Sequence, residues 1–218
     1  MTYQDLLNTA QTRHLTVVGG FRPQPQDNAP EGCQTLIMLG PDEPHFWKAF
    51  TQCPEYNDGQ PHPLDRWSKR MVGELATAFD CPALFPSDGP PYPPFFSWAL
   101  RTGRCHASPI QMLVHDTAGL FVSFRGVLAL NHIVELPDAP PNPCLGCATR
   151  PCETSCPVGA LPTPEGYDVP RCKSFLEAKA GSACLMTGCA VRRACPVSQS
   201  YDRIPAQSAF HMKAFLAL

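Results

Sequence analysis

Eight cysteines fall between residues 144 and 195, in two runs that each end in Cys-Pro. The first run, CLGCATRPCETSCP, supplies Cys144, Cys147, Cys152 and Cys156. The second, RCKSFLEAKAGSACLMTGCAVRRACP, supplies Cys172, Cys184, Cys189 and Cys195. Thiols this dense form a disulfide framework, a zinc site or an iron-sulfur cluster, and the first filter is the compartment. The opening stretch MTYQDLLNTAQTRHLTVVGG lacks the basic-then-apolar pattern of a secretory leader. No apolar run approaches the ~18 residues of a membrane span, so no membrane partner is expected. The chain therefore reads as cytoplasmic, where thiols stay reduced and dense cysteine usage points to metal.

The first run has the spacing C-x2-C-x4-C-x3-C-P, two residues longer in the middle than the bacterial ferredoxin run. A four-iron cubane needs thiolates converging from all sides, and a short loop wrapped around it supplies three. In two-cluster ferredoxins the cysteine before proline serves the partner cluster, while proline fixes φ and turns the chain away. That exchange rule groups Cys144, Cys147, Cys152 and Cys195 as one set of metal ligands, and Cys172, Cys184, Cys189 and Cys156 as the other. Four plus four suits two [4Fe-4S] clusters. The second run contains no C-x2-C, so a single cluster with Cys172 or Cys184 idle stays open. Zinc stays open too, although four-cysteine zinc sites show two close pairs and no Cys-Pro endings.

Outside these runs the chain is organised differently. Residues 1–135 alternate strand-like and helical patterns, ELPDAPPN at 135–142 marks a proline-rich linker over 136–143, the cysteine module follows at 144–203, and 204–218 reads as a C-terminal helix. TYQDLLNTAQTR predicts a helix with Thr2 as N-cap. LTVVGGF and CQTLIMLG predict buried strands. LDRWSKRMVGELATAF predicts a helix burying Leu64, Trp67, Met71, Leu75 and Phe79. IQMLVHDTAGLFVSFRGVLAL predicts two strands joined by a hairpin at Asp116–Gly119. This mixture favours an α+β domain over a parallel sheet. The tail PAQSAFHMKAFLAL is expected to bury one apolar face on the domain or on a second copy in a homodimer. A net charge of −2 without a long basic run excludes nucleic acid as an expected partner. Cys33, Cys53, Cys81 and Cys105 are scattered and expected to be buried thiols. His106 is expected to be structural, and His62, His115, His132 and His211 carry no functional expectation.

The run from Cys144 to Cys156-Pro-Val-Gly-Ala-Leu, then Pro170-Arg171-Cys172-Lys-Ser-Phe-Leu and the final Cys-Pro, resembles the double-cluster module of epoxyqueuosine reductases, iron-sulfur enzymes that also carry cobalamin. LDRWSKRMVGELA and SDGPPYPPFFSWALRTG resemble upstream segments of the same enzymes. HDTAGLFVSFRGVLALNHIVELPDAPP is similar to cobalamin-processing chaperones of the CblC type. The resemblance spans roughly 13 to 203. It implies a nitroreductase-like, cobalamin-processing α+β domain followed by a small ferredoxin-like module, and an oxidoreductase that passes electrons from a redox partner protein to a bound corrinoid. It also implies that Asp88, matching a family aspartate, is a catalytic proton donor whose pKa burial near Phe95, Phe96 and Trp98 would have to raise; read from the residues alone, Ser87-Asp88-Gly89-Pro90 is equally ordinary turn chemistry. Two departures stand against an epoxyqueuosine reductase proper. The glycine-rich segment after the helix is replaced by Thr102-Gly-Arg-Cys-His-Ala-Ser-Pro109, and the C-terminal repeats that help hold transfer RNA are missing. Without a corrinoid, the chain would be a ferredoxin-type carrier whose N-terminal domain docks a partner or holds a flavin (FMN). No glycine-rich phosphate cradle supports the flavin.

Overall fold

The computed structural model describes residues 1–217. The chain divides into two compact units. One comprises residues 1–105 and 123–140, the other 106–122 and 141–218. The cysteine module thus takes in a segment, His106–Val122, that lies upstream of the proline-rich linker.

The N-terminal unit is mixed α and β. It opens with α1 (Tyr3–Gln11), capped as the sequence predicts: the Asp5 amide donates to the Thr2 hydroxyl and the Thr2 amide to the Asp5 carboxylate. Then follow β1 (Leu15–Phe21), β2 (Thr35–Pro41), α2 (His45–Gln52), α3 (Pro54–Asn57), α4 (Pro63–Ala78), β3 (Ala83–Leu84) and α5 (Phe95–Arg101). β4 (Cys105–Ala107) and β5 (Leu113–His115) pair as a separate two-stranded sheet that, from His106 on, belongs to the other unit, and β6 (Gly126–Leu130) returns to the main sheet. The main sheet runs β1-β2-β6-β3 with antiparallel neighbours throughout. β2 is buried along its whole length, which explains its unbroken apolar run. Phe46, Phe50 and Trp67 pack around one another with ring centroids 5.1–6.0 Å apart. On α4 the buried residues are Leu64, Trp67, Ser68, Val72, Leu75 and Ala76. Met71 and Phe79, expected in that stripe, are only half-buried. β1 carries a bulge between Val17 and Gly19, and a Cβ on Gly19 would stand 2.7 Å from that of Thr102, the C-cap of α5.

The expected hairpin does not form. Asp116–Gly119 makes a tight turn closed by the His115–Gly119 bridge, but β5 pairs with β4, whereas β6 pairs with β2 and β3. The reason lies in the intervening backbone. The Leu120 amide donates to Ser198 Oγ at 2.8 Å, the Leu120 carbonyl accepts from Arg192, and the Phe121 carbonyl accepts from Arg203 at 2.7 Å. Side chains from far downstream take the hydrogen bonds that a strand partner would have used.

The C-terminal unit is built from short pieces: α6 (Val169–Glu177), α7 (Ser182–Thr187), α8 (Ala190–Ala194), α9 (Pro196–Gln199) and α10 (Pro205–Ala217). Its core is Ile110, Val114, Leu120, Cys152, Leu161, Val191 and Cys195. α10 packs on α7, yet the residues it buries are Gln207, Ser208 and Ala209 rather than an apolar stripe. A Cβ on Gly188 would meet that of Ser208 at 2.8 Å, so small residues set this approach. The final residue of the predicted tail helix, Leu218, lies outside the described residues. Among the described residues no helix is long and apolar enough to cross a membrane.

Candidate functional site

The two cysteine runs fold so that each contributes its proline-flanked member to the other's neighbourhood. In the first run, Cys144 follows a turn in which its amide donates to Asn142 Oδ1 at 2.9 Å, and the Cys147 amide donates back to the Cys144 carbonyl at 3.3 Å. Arg150 adopts left-handed φ and starts a single 3-10 turn, Pro151–Glu153, that carries Cys152 inward. Cys195 ends α8 in extended conformation, and Pro196 begins α9. Cys144, Cys147, Cys152 and Cys195 line one cavity of about 270 Å³, whose other walls include Ser108, Pro109, Val114, Leu120 and Val197. Burial, and then the charges of Cys152, Cys195 and Cys147, push the Cys144 thiol up; burial and then Cys195 push up Cys152.

The second grouping is Cys156, Cys172, Cys184 and Cys189. Cys172 sits in the first half of α6, whose N-cap Asp168 accepts from the Arg171 amide, and Cys184 sits in α7. Gly188, at φ +95°, turns the chain between Cys184 and Cys189. Cys156 Sγ accepts from the Ala160 amide at 3.2 Å. Burial pushes the Cys172 thiol up, a side-chain hydrogen bond with Tyr167 pulls it down, and the charges of Cys189, Cys156 and Cys184 push it up again. That same contact, behind the larger effect of burial, raises the Tyr167 phenol far above its ordinary value. Arg192 lies on α8 three residues beyond Cys189; burial lowers it, and Cys189 and Tyr167 act in the opposite sense. Its guanidinium remains charged and is held by the Leu120 carbonyl.

All twelve cysteines are free thiols. Among the described residues no three His, Cys, Asp or Glu side chains stand close enough together to hold a single metal ion. A single zinc with 2.3 Å bonds draws its thiolates to about 3.8 Å from one another. A four-iron cubane is a larger body that spreads its four ligands more widely, and an all-thiolate donor set is the one it takes. The residues present fit that group: four thiols around one cavity, and a second grouping in which Cys189, Cys156 and Cys184 all lie near enough to act on Cys172.

Elsewhere the sequence candidates separate. Asp88 Oδ1 pairs with Lys69 at 3.1 Å and Oδ2 accepts from the Phe85 amide at 2.9 Å, in a turn that leaves the side chain 39% exposed. The apolar burial expected of it is not present, and Phe96 is itself exposed. Cys53 and Cys105 are buried, Cys33 and Cys81 half-buried. Burial raises the thiols of Cys33 and Cys53, and takes Cys81 to about 11, which makes these inert rather than nucleophilic. His106 Nε2 is buried without a hydrogen-bond partner, and His115 Nδ1 accepts from the amides of Thr117 and Ala118 inside its turn. Sequence reasoning missed Tyr167, Ser108, Ser198 and Arg203, none of which belongs to a motif. No family model, curated relative or solved structure matches the chain.

Proposed function

We propose that this protein is an iron-sulfur electron-transfer protein with two [4Fe-4S] clusters, one held by Cys144, Cys147, Cys152 and Cys195, the other by Cys156, Cys172, Cys184 and Cys189. The observation that carries this reading is the sorting of eight thiols into two groups of four across the two runs. When bound, each cluster supplies a one-electron carrier whose potential follows charge, hydrogen bonding and burial. The chain's own residues fix the eight sulfurs, exclude water from Cys152, Cys184 and Cys195, and hold the Arg192 charge beside the second group. In this reading a reduced partner protein gives up one electron per cluster. The C-terminal unit is a ferredoxin-like double-cluster module and the N-terminal unit a nitroreductase-like domain that presents a corrinoid as acceptor. The corrinoid part rests on the sequence resemblance.

The test is anaerobic reconstitution of the full chain. About eight iron and eight sulfide per chain are expected, with a broad absorption shoulder near ~400 nm that bleaches on reduction. A colourless, iron-free product overturns the proposal. Addition of cob(II)alamin is expected to give a base-off spectrum. A second reading, a ferredoxin-type carrier without corrinoid, is favoured by one observation: Asp88 is tied to Lys69 and the Phe85 amide rather than buried as an acid. An unchanged cobalamin spectrum selects it.

A further inference from the structure

One buried polar group at the first cysteine site has no partner. Ser108 is 7% exposed, lines the cavity shared by Cys144, Cys147, Cys152 and Cys195, and its hydroxyl is buried without a hydrogen bond. Its backbone is fully used: the amide donates to the Met112 carbonyl and the carbonyl accepts from the Gln111 amide, both at 2.9 Å. Two residues on, Ile110 is buried in the same core as Cys152 and Cys195, so the turn that carries Ser108 is anchored. A serine at such a turn ordinarily turns its hydroxyl back on the local backbone, and here it does not. Leaving a buried hydroxyl unsatisfied is unfavourable, because the group has lost its water without gaining a partner. Thr149 and Arg150 also line the cavity, but most of its wall is proline, valine, leucine and cysteine, and the cysteine sulfurs are among the few acceptors it offers the hydroxyl.

We infer that the Ser108 hydroxyl donates a hydrogen bond to the sulfur of the cluster bound by Cys144, Cys147, Cys152 and Cys195, and so sets that cluster's reduction potential. The inference rests on the two-cluster reading above. Its physical basis is that reduction adds negative charge to the cluster and its thiolates, which strengthens a bond from a fixed O–H donor and favours the reduced form. Ser108 reaches the site from the segment His106–Val122, ahead of the linker and outside both Cys-Pro runs. It is a positioning residue for potential, not a ligand.

The experiment is an EPR-monitored redox titration of anaerobically reconstituted full-length protein, comparing wild type with Ser108→Ala and Ser108→Thr. Cys172→Ser, which alters the other grouping, identifies which signal belongs to which cluster. Ser108→Ala is expected to retain iron and sulfide and to move the first cluster's midpoint potential downward while the second stays in place. Ser108→Thr, which keeps a hydroxyl, is expected to titrate with the wild type. Retained iron with an unmoved first potential in Ser108→Ala overturns the inference and leaves the two-cluster reading intact. Loss of the first cluster in Ser108→Ala but not in Ser108→Thr supports the hydroxyl's role; loss in both reduces position 108 to packing and also overturns it. Absence of iron from the wild type removes the two-cluster reading itself, a result that the iron count alone reveals.

Discussion

The two units are held together by different means. In the N-terminal unit a strand buried along its whole length, β2, lies in a four-stranded sheet, and a cluster of Phe46, Phe50 and Trp67 fills part of the core. In the C-terminal unit two of the seven core members are cysteines, and α7, α8 and α9 have six, five and four residues. Helices so short do not persist on their own, because nucleation costs more than a few hydrogen bonds return. Apolar burial dominates the first unit; under the two-cluster proposal the second also draws on the clusters that its eight thiols would hold. Metal-ligand free energy then becomes folding free energy.

The largest effect that could break this comparison is removal of the metal. Stripping iron from reconstituted protein with a chelator is expected to abolish slow amide exchange across residues 144–199, while β1, β2 and β6 keep theirs. Hydrogen exchange read by mass spectrometry distinguishes the two, and equal protection in both states would show that the C-terminal unit needs no metal. The matching perturbation in the other unit is Trp67→Ala. Trp67 is 2% exposed and contacts both Phe46 and Phe50, so its truncation is expected to cost that unit about 3–5 kcal/mol in denaturant titration. A loss below about 1 kcal/mol would mean that the aromatic cluster is not what stabilises it.

How much of this was legible in the sequence also divides between the units. The helices at Tyr3–Gln11 and Pro63–Ala78 and the strands at Leu15–Phe21 and Thr35–Pro41 were readable because apolar periodicity and the Thr2 cap are local signals. The two-residue strand Ala83–Leu84 was not, since a pairing that short leaves no pattern. The hairpin failed as an expectation because Ser198, Arg192 and Arg203, all more than seventy residues downstream, capture the backbone at Leu120 and Phe121. The cysteine runs advertise themselves by spacing and proline. Ser108 and Tyr167 do not: a serine before proline and a tyrosine in a loop are ordinary, and only the folded chain sets them beside thiols.

A smaller effect sharpens the contrast through two glycines. Gly119 has φ +55°, and a Cβ there would lie 2.4 Å from the Ser198 amide nitrogen, where backbone must move to make room. Gly32, in the N-terminal unit, has φ +77° with nothing within 4 Å of the same added atom. Gly32→Ala therefore carries only the left-handed backbone penalty, about 1 kcal/mol. Gly119→Ala carries that penalty and a collision as well, and is expected to cost about 2–3 kcal/mol. Chemical denaturation followed by far-UV circular dichroism measures both. Equal costs would show that the turn at Gly119 is not tightly seated on α9.

The smallest expected effect is electrostatic and lies wholly within the N-terminal unit. Glu55 on α3 accepts from Arg70 Nε at 2.6 Å and Nη2 at 2.9 Å, a two-point contact to a side chain on α4. The hydrogen bonds from Arg70 lower the Glu55 carboxyl from 4.5 to about 2, against the opposing pull of burial. A carboxyl depressed in the folded state stabilises fully above its unfolded value, and that contribution fades as pH falls from 4.5 toward 2. Glu55 is 12% exposed but Arg70 is 41% exposed, so solvent screening cuts the linkage value to roughly 1 kcal/mol. All three tryptophans, Trp47, Trp67 and Trp98, belong to this unit, so tryptophan fluorescence follows its unfolding selectively. Glu55→Gln is expected to be less stable than wild type by about 1 kcal/mol at pH 7, and the difference should shrink steadily below pH 4.5 as the wild-type carboxylate is neutralised. A gap that stays constant down to pH 2 would assign the pair's contribution to packing of the Arg70 stem rather than to charge.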